Sequence, residues 1–192
     1  MTAIHETFSS GAIAFAPAPA LLGADTNGAA PQRTYGYLVE GDIYSERNEA
    51  VQSWWLRAVI DPALDCQKAE YVMFAADAGQ IERVLGAIAT AAATPGYDKV
   101  LEGTFEGYAN TAQIAFDDET NEDCIENLRC RVASALEGSF SLRLEKGGKA
   151  VATLSARMTP EGIDRTLQLA ADLRAWAARN VEAIERLPAP AA

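Results

Sequence analysis

The amino-acid sequence predicts an α+β fold: a mixed or antiparallel sheet with about four helices, in the order βαβαββαββα. Three observations carry that expectation. Apolar residues recur at helical spacing in stretches that begin with a polar cap. Short extended apolar runs precede those stretches. A Gly-Gly pair separates two runs that alternate apolar and polar residues.

Residues 35–44 read as the first strand. A helix capped by Ser45 should follow to about residue 60, ahead of Pro62, with Val51, Trp55 and Val59 as its inward stripe. Residues 71–75 form a short buried strand. Asp77 and Gln80 resemble a capping box, and Ile81, Val84, Leu85, Ile88 and Ala92 then follow on one helical face. The third unit has extended runs at 100–108 and 113–116 and a helix over about 120–136 that would bury Ile125, Leu128, Val132 and Leu136. The fourth is a hairpin in which Phe140, Leu142 and Leu144 alternate with polar residues. Gly147 and Gly148 supply its turn, because a two-residue hairpin demands positive φ that glycine adopts at little cost. The return strand covers 150–158, and Thr159 caps a final helix with Pro160 at its first position, where a missing N–H is harmless.

Between residues 70 and 158 this order contains βαββαβ, the ferredoxin-like arrangement, which is the leading architecture. Leu101-Glu-Gly-Thr-Phe105 and Leu136-Glu-Gly-Ser-Phe140 are nearly identical and each precedes a strand, strand, helix order, as either a duplicated ββα unit or a chance match of so short a segment would give. Residues 1–33, rich in Ala, Gly and Pro, read as a flexible N-terminal arm, 34–187 as a single α+β domain, and 188–192 as a C-terminal tail. The apolar stretch 11–22 lacks a basic flank and carries Pro17 and Pro19, which argues against a secretory signal. No apolar run reaches the ~18 residues of a membrane-spanning helix, so a cytoplasmic location is expected.

Composition excludes more than it assigns. The chain has 192 residues and a formal net charge of −11, which disfavours direct binding to nucleic acid or to an anionic membrane. His5 is the only histidine and lies in the arm, so triads, His-bound metals and histidine proton shuttles are not expected. Cys66, Cys124 and Cys130 show no metal or redox spacing and read as small buried residues. Sequences that build nucleophile elbows, zinc helices or phosphate loops are absent. No catalytic residue, cofactor or metal site is therefore assigned.

The most distinctive stretch carries six carboxylates and no base: Asp117, Asp118, Glu119, Glu122, Asp123 and Glu126. As an EF-hand loop it fails, because its sixth position is Glu122 rather than glycine and its twelfth is Leu128 rather than glutamate. Acidic residues at a helix start also favour the positive end of the helix dipole. These six residues, with the adjacent Trp54 and Trp55, are the candidate partner-binding residues. A long last helix over residues 160–187, with Ile163, Ala170, Leu173, Ala177, Ile184 and Leu187 near heptad spacing interrupted by Thr166 and Asn180, would project its final turns to another chain. Because residues 138–192 carry eight bases against six acids, that helix is expected to be mildly basic beside an acidic body.

The expectation is a non-catalytic protein-protein interaction or assembly protein acting through an acidic surface and apolar arms. Its partner would be a protein, a basic one included, with a homo-oligomer or a subunit of a larger assembly expected. Two alternatives stand beside it: an acidic, phosphate-mimicking inhibitor of a nucleic-acid-binding protein, and a small carboxylate or Mg-dependent enzyme.

Overall fold

A computed structural model describes residues 5–10, 13–17, 35–46, 49–60, 69–75, 77–103, 105–109, 125–134, 136 and 138–187. The first half of the chain forms β1 (His5–Ser9), β2 (Ile13–Pro17), β3 (Tyr35–Glu46), β4 (Glu49–Ile60), β5 (Ala69–Ala75) and α1 (Ala78–Ala93). The second forms β6 (Asp98–Val100), β7 (Phe105–Ala109), β8 (Ile125–Ser134), β9 (Ser139–Lys146), β10 (Lys149–Arg157) and α2 (Pro160–Glu185). The fold is α+β, with two sheets of antiparallel strands.

Two strands belong to both sheets. Residues 13–15 of β2 pair with β3 in the first sheet, whereas Ala16 and Pro17 pair with β10 in the second. Likewise β8 pairs with β7 at Ile125 and Leu128, then turns to β6 and β9 from Arg129 onward. Following the pairings from β2 through β3, β4, β5, β7, β8, β9 and β10 therefore returns to β2. At the β8 corner, Phe105 faces Leu128 and Gly107 faces Ile125, so β8 carries one extra residue. Asn127, with φ 57°, lies within that bulge; asparagine is among the few side chains that tolerate the left-handed region, and a bulge bends a strand from one sheet into the next.

Inward side chains from both sheets meet α1. Val39, Ile43, Trp54 and Leu56 of the first sheet and Leu128, Cys130, Val132, Phe140, Leu142 and Leu144 of the second are all 0–1% exposed. Helix α1 packs on β4, β8 and β9 with one side and on α2 with another, which explains why Ala87, Ala89 and Ala91 are buried along with Ile81, Val84, Leu85 and Ile88. Small side chains let the two helices approach closely.

Local signals hold where they were strongest. Asp77 caps α1 by accepting from the Gln80 N–H at 2.9 Å, and Thr159 caps α2 by accepting from the Gly162 N–H at 3.1 Å. Gly147 and Gly148 turn the β9–β10 hairpin with φ 57° and 79°. Two expected helices are strands instead, so the four-helix count and the ferredoxin-like order are corrected. Residues 49–60 form β4, in a twelve-pair register with β3. The stripe Val51, Trp55, Val59 has a spacing of four, which is even and so suits one face of a strand as well as of a helix. Pairing along the whole of β3 then favours the strand, to which the β-branched and aromatic residues of this segment are suited. The same ambiguity affected Leu128 and Val132. Cys130 between them is also buried, which is the two-residue period of β8, and Leu136 is 66% exposed.

Strands β1 and β2 lie within the stretch read as an arm. Its apolar residues at 13–17 are paired by β3 and β10 of the same chain, a long-range partnership that no local pattern announces. The last helix does not project. Ile184 is fully buried, and Val181 and Leu187 pack on the core. Thr166 and Asn180, which break the heptad pattern, donate to the Gly162 and Trp176 carbonyls one turn back.

The chain repeats its topology, but not in the frame suggested by its similar pentapeptides. In each half a broken edge strand is followed by three antiparallel strands and a helix: β1/β2–β3–β4–β5–α1 and β6/β7–β8–β9–β10–α2. Backbone bonds fix the equivalence, because Ser10 N–H donates to Val39 at 2.9 Å and Leu101 N–H donates to Cys130 at 2.8 Å. Leu56, opposite Val39, then matches Leu144, opposite Cys130; Trp54, opposite Gly41, matches Leu142, opposite Val132. All four matched residues are 0–1% exposed. In this frame the 101–105 segment leads into β7 and the 136–140 segment into β9, which are not equivalent strands, and among the described residues no ββα unit follows the first of them.

Candidate interaction surfaces

Alternation along a strand sends neighbouring residues to opposite faces, so Trp54 and Trp55 have different fates. Trp54 points inward and is 0% exposed. Its ring lies 5.8 Å from that of Phe8 and 5.7 Å from that of Trp176, and those two rings are 5.4 Å apart. Its indole N–H donates to Gln52 Oε1 at 3.0 Å, and the same oxygen accepts from the Ala78 N–H at 3.3 Å, joining β4 to the start of α1. Trp54 is therefore a core residue rather than a contact for a partner.

Trp55 is half-buried on the outer face of the first sheet. Its cross-strand neighbour is Glu40, and in the other direction the register runs through Phe74 to Glu106 on β7. Asp42, Glu46 and Glu49 share this face, two or more residues along the strands. Glu46 and Glu49 are direct cross-strand partners at the end of the β3–β4 hairpin, both exposed, and like charges so placed repel. Asp42 accepts from Thr7 Oγ1 at 2.9 Å and lies 3.6 Å from His5 Nε2. The result is a file of carboxylates that runs from the Trp55 row to the end of the β3–β4 hairpin, with Glu106 in the Trp55 row on β7.

The outer face of the second sheet is richer in bases, although Glu145 lies directly across from Arg129 on it. Arg129, Arg143 and Arg157 are exposed on β8, β9 and β10, and Arg131 lies directly across from Arg143. Arg131 is held by a two-pronged bond to Asp98, with Nε to Oδ1 at 2.7 Å and Nη2 to Oδ2 at 2.5 Å. That hydrogen bond, supported by the nearby Arg131 and Arg143 charges, lowers the Asp98 pKa. Arg129, Arg143 and Arg157 have no ion pair among the described residues. These strands, not the final helix, supply the basic surplus. The expectation of a basic last helix is corrected, since α2 carries Glu161, Asp164, Asp172, Glu182 and Glu185 against Arg165, Arg174 and Arg179.

A groove of about 340 Å³ lies where the last turns of α2 pass the start of α1. Asp77, Glu82, Glu182 and Glu185 border it, but three of them are engaged: Asp77 caps α1, Glu82 pairs with Arg174, and Glu182 pairs with Arg186. This leaves the groove without a convergent set of carboxylates poised for metal or acid-base chemistry.

Of the sequence-predicted candidates, Glu126 is exposed at the start of β8, while Asp117, Asp118, Glu119, Glu122 and Asp123 lie outside the described residues, as do Cys66, Cys124 and the tail 188–192. Cys130 is fully buried, and burial, reinforced by the Glu145 charge, pushes its thiol up to about 12. Glu40, Asp42, Glu46, Glu49, Glu106 and the outward arginines were not anticipated. Their only sequence signal is the period-two placement of charges between core residues, which becomes readable once the strands are known. Among the described residues no group of His, Cys, Asp and Glu is arranged to hold a metal, and no helix is long and apolar enough to cross a membrane. Compared with family models, with curated proteins and with solved structures, the chain matches none.

Proposed function

We propose that this chain is a non-catalytic interaction protein whose acidic outer sheet face receives a cationic surface of a protein partner. The observation that carries the reading is that Glu40 and Glu106 share the row of the half-buried Trp55 while Asp42, Glu46 and Glu49 continue along the same sheet face toward the hairpin end. Tryptophan and arginine form strong interface contacts because the guanidinium both stacks on the indole and binds a neighbouring carboxylate in a fork. A lysine or arginine side chain resting on Trp55 would have Glu40 beside it. An open sheet face suits a protein surface rather than a small molecule, which needs a concave site. The reading includes a cytoplasmic setting, where a basic partner surface would be encountered in reducing conditions.

Calorimetric titration with a synthetic arginine-rich peptide tests this. Binding should weaken about tenfold in Trp55→Ala and fall steeply between low and high salt, as for an aromatic contact flanked by charges. Equal affinity of wild-type and Trp55→Ala protein for the peptide would reject the acidic face as the binding surface.

A further inference from the structure

The internal repeat places the two outer faces in register with one another. Glu40 occupies the position of Arg131, because each follows the residue that accepts the equivalent edge-strand bond, Val39 or Cys130. Trp55 occupies the position of Arg143, since Glu40 pairs with Trp55 and Arg131 pairs with Arg143. The same row of the same topology thus presents a carboxylate beside an indole in one half and two guanidiniums in the other. We propose that the arginine-bearing face of the second sheet is the cationic surface that the acidic face receives, so that copies of this chain stack head-to-tail. The proposal rests on the reading of the acidic face given above and names its partner.

Charge complementarity between the two faces supports the pairing. Arg143 has no ion pair among the described residues, whereas Arg131 across from it is held by Asp98, so Arg143 is the guanidinium of this row that a carboxylate from outside would meet. The repulsion within the Glu46–Glu49 pair on the acidic face is relieved by an incoming base. Asp98 already displays the bond that an incoming carboxylate would make, a two-pronged contact with a guanidinium on this face. Small side chains at Ala133 and Ser141, outward between the arginines, leave the surface flat enough for another sheet face.

Two features set the form of the assembly. Since the complementary surfaces are different faces of the molecule, a copy that uses one keeps the other open, and growth does not end at a dimer. With strands ~4.8 Å apart and about 20 Å of usable length, four or five strands offer only ~300–400 Å² per copy. A contact of that size is weak and reversible, so association belongs to high micromolar concentrations and low salt.

Sedimentation velocity on the full chain tests the proposal, at about 20 and about 300 µM and at about 50 and about 500 mM salt. The weight-average mass should climb past that of a dimer at high concentration in low salt, and fall back to the monomer in high salt. Arg143→Glu and Trp55→Ala should each stay monomeric. Mixed in equal amounts they should form dimers, because one retains the acidic face and the other the basic face. Glu106→Arg, at an exposed position, repeats the test of the acidic face should Trp55→Ala alter the fold by circular dichroism. Wild-type chain that remains monomeric at high concentration in low salt overturns the proposal, as does association unchanged by Arg143→Glu. If the monomeric chain still binds the arginine-rich peptide through Trp55, the acidic face keeps its role and only the homotypic pairing falls.

Discussion

Gly41 lies directly across β3–β4 from Trp54, and a methyl group added at Gly41 would sit 2.1 Å from Trp54 Cε3. The indole fills the space that a side chain would occupy, and it is held there by Phe8 and Trp176 and by its bond to Gln52. Gly41→Ala therefore has no cheap outcome, because the ring it displaces is fully buried. Overpacking of this kind should cost ~3 kcal/mol, near the upper end for one added methyl group. Urea unfolding followed by circular dichroism measures it; a loss below ~0.5 kcal/mol would mean that the indole can move freely.

Phe8 makes the amino-terminal strand part of the core. It touches both Trp54 and Trp176, so it joins β1 to β4 and α2. Removing residues 1–12 should expose both tryptophans, shift their emission to the red and lower the melting temperature. Phe8→Ala alone should cost ~2 kcal/mol, less than a fully buried phenylalanine because Phe8 is only half-buried. Unchanged tryptophan emission after the truncation would show that β1 contributes nothing to the packing.

The sequence made legible what short-range chemistry decides. The Asp77 cap with its helical stripe, the Gly147–Gly148 turn, and the Thr159–Pro160 start of α2 each rest on residues within a few positions of one another. What it hid depends on distant pairing. Val51, Trp55 and Val59, like Leu128 and Val132, are spaced by four, a spacing that a helix and a strand share, and only β3 and β9 as partners select the strand. Of the candidate site, the Trp54–Trp55 pair was picked out, but Trp55 was expected on the inward stripe of a helix, whereas on β4 it is Trp54 that is buried and Trp55 that faces outward. The carboxylates in the Trp55 row were not picked out, since Glu40 and Glu106 come from strands far apart in the chain. The face exists only after β3, β4, β5 and β7 have paired.

Cys130 gives a pH dependence whose sign is fixed. Burial, with a smaller contribution from Glu145, raises its thiol from the ordinary 9.0 to about 12 in the folded protein. Between those values the unfolded chain loses the proton and the native one keeps it, so the contribution is intact below about pH 9 and is lost as pH rises toward 12. Cys130→Val should flatten the alkaline part of the stability curve. Native Cys130 should also resist thiol reagents at pH 8 and react once the protein is unfolded. Rapid labelling of Cys130 in the native state, resolved by peptide mass, would contradict its place in the core.

The internal repeat makes a stronger demand on the molecule. Each half carries one edge strand, three antiparallel strands and a helix, but neither closes by itself: β5 is completed by β7, β10 by β2, and α1 by α2. The linker between the halves, Thr94 to Gly96, is exposed. Cutting the chain there severs no strand and no helix. Fragments 1–95 and 96–192 produced together should therefore form a one-to-one complex with the far-ultraviolet spectrum of the intact chain, since every strand pair and the α1–α2 contact can still form. Each fragment alone should aggregate or pair with itself, because open strand edges beside an uncovered apolar helix face seek a partner. The complex should be less stable than the intact chain by several kcal/mol at micromolar concentration, the cost of bringing two chains together. Fragments that fold separately as monomers and ignore each other when mixed would show that the closed ring of strands is not what holds the two halves together.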